Sequence, residues 1–160
     1  MKIEAIEYAN GKKKVTETTP KELQKLLSNK YDLVWNELYA EFRITNQDGE
    51  IIEHCGSIKK IGITRLMFLK VLLENPAMFL NHFQIGKFSE RYLDSDDKRT
   101  RWAINSLYVK QSIITSVHLL KSELFRYFSD YFIMTCRSPY SVAFNKDRSF
   151  LWIRPKRSES

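Results

Sequence analysis

Cysteine and histidine are scarce, with two Cys and three His in 160 residues. Cys55 and Cys136 stand far apart in apolar or strand-like surroundings. This excludes a disulfide framework and a zinc site of paired cysteines, and both thiols are expected to be free and buried. His54 beside Cys55 is no nucleophile and base, because neighbours on a strand point to opposite faces. His82 and His118 have no cysteine or carboxylate at ligand spacing. Five scattered glycines leave no phosphate-cradling loop. The expectation is a protein without catalytic residues, metal or cofactor. Long apolar runs are also missing: none approaches the roughly 20 residues that span a bilayer. The charged, alternating start at Met1, Lys2, Ile3 and Glu4 is unlike a signal peptide, so no membrane association and a cytoplasmic location are expected.

What is present can fold. The chain is 43% hydrophobic with ten phenylalanines, enough apolar surface to offset the entropy lost on ordering. The net charge is +7, unevenly spread. Residues 1–57 carry eight Lys or Arg against ten Asp or Glu, and residues 58–160 carry eighteen against nine. A basic second segment suggests that this part meets a polyanion.

Hydrophobic spacing gives the elements. Lys2 to Tyr8 alternates weakly up to a turn at Asn10-Gly11, followed by the basic run Lys12, Lys13 and Lys14. Thr19-Pro20-Lys21-Glu22 has the form of a capping box and starts a helix to about Ser28, with Leu23, Leu26 and Leu27 on one face. Tyr31 to Phe42 shows mixed spacing that fits a strand or a short helix. Glu41 to Thr45 and Glu50 to Cys55 flank Asn46-Gln47-Asp48-Gly49 as a β-hairpin. A helix begins near Thr64, carries Leu66, Phe68 or Leu69, Leu72 and Leu73 on one side, and stops at Asn75-Pro76. Asn81 and Gln84 can cap a short helix ending near Phe88. After a polar stretch, Lys98 to Lys110 forms a further candidate helix. Between Ser112 and Phe128, Ile113, Val117, Leu120, Leu124 and Phe128 share one helical side. Three short strands follow, at Tyr131 to Arg137, Tyr140 to Phe144 and Phe150 to Ile153, two of them a hairpin.

In this order, residues from about Phe42 to Ile153 resemble the winged-helix effector domain of OmpR/PhoB-type response regulators. Phe42 to Cys55 with Ile58 to Ile63 would be its leading sheet. Ile63-Thr64 through Leu73-Glu74-Asn75-Pro76 is similar to its first helix, and Phe79-Leu80-Asn81 to the entry of its second. Val117, Leu120 and Leu124 match the apolar register of its recognition helix, and Ile133 to Arg137 the strand leading to its wing. The resemblance implies an α+β winged helix-turn-helix over residues 41–155 with a C-terminal β-hairpin wing. An N-terminal extension would occupy 1–40 and a basic tail 156–160. The first 57 residues are too few for a receiver domain, so receiver phosphorylation is not the expected switch.

A major groove admits one helix, and a helix packed by one apolar stripe leaves its other face for base edges. On the Ser112 to Phe128 helix that face is Gln111, Thr115, His118, Ser122 and Arg126, beside Leu119 and Phe125, with Lys121 at the flank. Arg137, Lys146, Arg148 and Arg154 form a basic strip over Tyr140, Phe144 and Trp152, suited to phosphates. The alternative reader is the Lys98 to Lys110 helix, with Lys98, Arg99, Arg101 and Asn105. The expected function is transcriptional regulation through double-stranded DNA, as a homodimer, with a possible protein partner for the N-terminal segment. Two other readings stand beside it: a protein-interaction module in a larger assembly, and a binder of RNA or single strands using the aromatic hairpin.

Overall fold

The computed structural model describes residues 2–45, 51–55, 63–92, 109–125 and 132–156. It is a mixed α+β chain of two compact units, residues 1–60 with 146–160, and residues 61–145.

The first unit starts with strands β1 (Ile3–Ala9) and β2 (Lys12–Thr18), joined by a two-residue turn. Asn10 and Gly11 have φ of 55° and 76°, the left-handed pair that matches the twist of a tight hairpin. Helix α1 (Pro20–Ser28) begins where the capping residues place it: the Thr19 hydroxyl accepts from Glu22 N at 3.3 Å. Strands β3 (Leu33–Asn36), β4 (Glu41–Thr45) and β5 (Ile51–Cys55) follow. The unit closes with β9 (Phe150–Pro155), far along the chain.

These strands make one sheet in the order β2-β1-β9-β3-β4-β5. Strand β9 is antiparallel to β1 and parallel to β3. Leu23, Leu26 and Leu27 of α1 pack with Ala5, Val34, Leu151 and Ile153 on one face. On the other face Tyr8 stacks on Phe150 and Trp35 lies against Phe42, with ring centroids 5.6 and 5.9 Å apart. Every residue of β3 is buried, which explains its mixed spacing in the sequence: a central strand has no solvent face to alternate with.

Position in the sheet also moves Phe150 to Ile153 out of the domain expected over residues 41–155. Phe150, Leu151, Trp152 and Ile153 are consecutive and all at most 1% exposed. A hairpin wing with one wet face alternates, whereas four buried neighbours need cover on both faces. The division at residue 40 is corrected with it, because β9 is held by β1 and β3 from the segment read as an extension.

The second unit is built on α2 (Ile63–Glu74), followed by β6 (Leu80–Asn81), α3 (His82–Ser89) and a 3₁₀ turn at Glu90–Tyr92. Then come α4 (Lys110–Phe125), β7 (Ile133–Arg137) and β8 (Tyr140–Phe144). Buried residues surround α2 on nearly every side, from Leu66 to Leu73. It ends at Asn75, whose side chain donates to Val71 O at 2.9 Å ahead of Pro76. Asn81 and Gln84 form the reciprocal capping box of α3, at 2.8 and 2.9 Å. Strands β6, β8 and β7 form a small sheet, in that order. Strands β7 and β8 form a hairpin closed by Ser138 and Pro139 across a cis peptide bond.

Candidate nucleic-acid interface

Helix α4 is fixed by the stripe that the sequence shows: Ile113, Val117, Leu120 and Leu124 are each at most 2% exposed. Burying four such side chains contributes about 1.5–3 kcal/mol apiece and sets the rotation of the helix. Gln111, Thr115, His118, Leu119 and Ser122 are thereby turned to solvent. The one carboxylate between Lys110 and Phe125, Glu123, meets Arg65 of α2 at 3.0 Å. The solvent face of α4 therefore presents hydrogen-bonding groups and cations, and the helix's single carboxylate is paired.

A groove of about 500 Å³ runs beside this face, lined by Lys110, His118, Lys121 and Ser122 of α4 and by Thr135, Arg137 and Tyr140 of the hairpin, among others. Lys121 Nζ donates to Thr135 Oγ1 at 3.0 Å, tying helix to strand. Burial pushes the Lys121 ammonium below its ordinary value, and repulsion from Arg137 pushes it further. Burial also raises the Tyr140 hydroxyl to about 12, so it remains a donor at neutral pH. The groove is thus lined by two cations that repel each other, an arrangement that a phosphate would relieve. Lys110 adds a third at the start of α4, where the first amides of a helix also favour an anion.

The depressed Lys121 value has a sign that can be tested. The charged form carries a cost in the free folded protein at pH below that value, and the cost fades as pH rises through it toward 10.5. An anion in the groove offsets the same cost. A phosphate-bearing ligand in the groove should therefore be held near neutrality and weaken on the alkaline side earlier than with a solvated lysine. Fluorescence anisotropy against pH should show this loss removed in Lys121→Arg, which stays charged. An equal alkaline decline in both proteins rules Lys121 out of the contact.

Of the residues singled out in the sequence, the structure brings together Gln111, Thr115, His118, Lys121, Ser122 and Arg137 on α4 and the hairpin. Arg126 and the alternative reader Lys98, Arg99, Arg101 and Asn105 lie outside the described residues. Lys146 and Arg148 are corrected: both belong to the first unit, on the turn entering β9. Arg148 stands 3.9 Å from Asp32 with its side chain 15% exposed, and Asp32 also accepts from Ser149 N at 2.9 Å. Arg154 is likewise held, donating through Nε to Glu4 at 2.8 Å and lying over the Trp152 ring. Arg148→Ala should accordingly cost about 1 kcal/mol of stability in urea unfolding and leave any duplex affinity of the second unit unchanged. A large affinity loss at unchanged stability would return Arg148 to the interface.

Two further readings change. Cys136 is exposed at the end of β7, where the expectation was a buried thiol. The linear charge asymmetry disappears when the chain is divided by its compact units. Residues 1–60 with 146–160 hold fifteen Lys or Arg against twelve Asp or Glu, and residues 61–145 hold eleven against seven. Placement of cations in the groove, not net charge, distinguishes the second unit. Sequence reasoning missed Lys110, Thr135 and Tyr140 as groove residues. Only Lys110 carried a signal, as a cation next to the polar face of the helix.

No protein-family model, curated protein or solved structure matches the chain.

Proposed function

We propose that the chain is a duplex-DNA-binding regulator of transcription whose second unit is a winged helix-turn-helix. The reading is carried by one observation: a helix whose solvent side carries Gln111, Thr115, His118 and Ser122, with its one carboxylate paired to Arg65, shares a groove lined by cations with a hairpin. The order α2, β6, α3, α4, β7, β8, with β8 between β6 and β7, supports the winged form. In this reading α4 enters the major groove, Thr115, His118 and Ser122 meet base edges, and Lys121 and Arg137 hold phosphates on either side. Homodimerisation on paired half-sites goes with such a mode of binding.

The test is a salt titration of binding to duplex DNA. Several phosphate contacts give a linear fall of log affinity with log salt, about 0.9 per contact. No binding to duplex at low salt sinks the proposal.

A second reading, docking to another protein, is favoured by Met78, Phe79 and Phe83 of the same unit, which are 54%, 52% and 58% exposed. Such a contact is apolar and resists salt. Of the aromatic residues of the single-strand reading, Phe144 and Trp152 are buried, while Tyr140 borders the groove.

A further inference from the structure

We propose that the groove between α4 and the β7–β8 hairpin also binds a small organic phosphate, a monoester with an apolar body, and that this ligand excludes DNA from the same place. The inference rests on the DNA-binding reading of the groove and adds its regulation.

Lys110, Ile114, His118 and Ser122 recur at every fourth position of α4, so one stripe of the helix makes a wall of the groove. Thr135, Arg137 and Tyr140 of the hairpin border it as well. Its volume of about 500 Å³ falls within the roughly 300–1,000 Å³ of small-molecule sites. The lining combines two chemistries. Ile114 and Tyr140 are half-buried and Val117 is buried, which gives the groove an apolar part. Lys110 and Arg137 are exposed, and no carboxylate stands among the described residues of the lining. Lys121 is left out of the count, because it already donates to Thr135.

A duplex backbone is charged throughout, so it can use Lys110 and Arg137 but gains nothing from Ile114, Val117 and Tyr140. A phosphate with an apolar body uses both. A monoester also carries more charge than a backbone phosphodiester and has three terminal oxygens for the Arg137 fork and for hydroxyl donors. Ser122 and Tyr140 supply such hydroxyls, and burial holds the Tyr140 group protonated up to about 12. Arg137 cannot grip this ligand and a DNA phosphate at once. Occupancy by one therefore displaces the other.

The experiment titrates the full chain, by calorimetry, with phenyl phosphate, inorganic phosphate and phenol. Phenyl phosphate should bind about tenfold tighter than either part alone, because only it meets the cations and the apolar wall together. Arg137→Gln should weaken it by about tenfold. Ile114→Thr should weaken phenyl phosphate and leave inorganic phosphate unchanged, with thermal midpoints confirming that both variants are folded. Absence of binding overturns the proposal, and so does equal affinity for phenyl phosphate and inorganic phosphate, which is an anion contact only. Anisotropy of a labelled duplex at constant ionic strength tests the exclusion. Phenyl phosphate at about ten times its dissociation constant should weaken DNA binding about tenfold. Unchanged DNA affinity overturns the regulatory role. If duplex does not bind even at low salt, the DNA reading fails and the exclusion with it, while the calorimetry still upholds or overturns the ligand site.

Discussion

A fragment starting at residue 41 should fail to protect Phe150–Ile153 from hydrogen exchange, although the same residues are strongly protected in the full chain. The cause is topological. Strand β9 has β1 on one side and β3 on the other, and the fragment removes both. Four side chains that are at most 1% exposed then meet water, at about 1.5–3 kcal/mol each. That sum rivals the roughly 5–15 kcal/mol by which a whole domain is stable. Aggregation of the fragment through the exposed strand would agree with this. Full protection of Phe150–Ile153 in the fragment would show that residues 41–155 stand alone, and the two-unit division would have to be abandoned. Strand β9 completes the first sheet only when the end of the chain returns to its beginning. Such long-range pairing slows folding, because the loop must close before its contacts form.

Reversing the groove charge should abolish binding. In Lys121→Glu/Arg137→Glu, two carboxylates replace the two cations that border the groove between α4 and β7. Like charges brought together at an interface cost several kcal/mol, and about 3 kcal/mol already exceeds a hundredfold in affinity. The loss should be steepest at low salt, where the wild type binds best. Loss of the Lys121 to Thr135 hydrogen bond costs about 1 kcal/mol of stability, so unfolding curves must accompany the binding data. A double variant that is folded and binds duplex like the wild type would remove α4 and its hairpin from the interface. Attention would then move to the exposed Met78, Phe79 and Phe83 as a protein contact.

Local elements were legible where local physics decides them. The Thr19 and Asn81 caps, the Asn75-Pro76 stop and the apolar stripe of α4 were all read from a few neighbouring residues, and the structure places them there. The pairing of β4 with β5 was legible from the flanking strands, while the turn Asn46-Gln47-Asp48-Gly49 lies outside the described residues. Strand β2 was not, because an edge strand such as Lys12–Thr18 is mostly solvated and shows no apolar alternation. Among the candidate contacts, those on α4 keep the company that the sequence suggested. Lys146 and Arg148 do not, since a turn of four polar residues reads the same whichever sheet its next strand enters.

The sequence by itself determined the scarcity of cysteine and histidine, the capped helices, and a helix with one apolar and one polar face. These follow from residue type and spacing over at most a few turns. Only the tertiary structure decided that β9 belongs with β1 and β3, that Arg148 and Arg154 are bound to Asp32 and Glu4, and that Lys121 and Arg137 share a groove. The physical reason is that the partners of β9, Arg148 and Arg154 lie more than a hundred positions away, and that Lys121 and Arg137 meet only once a helix packs on a hairpin. No local pattern encodes which partner a strand or a cation will meet.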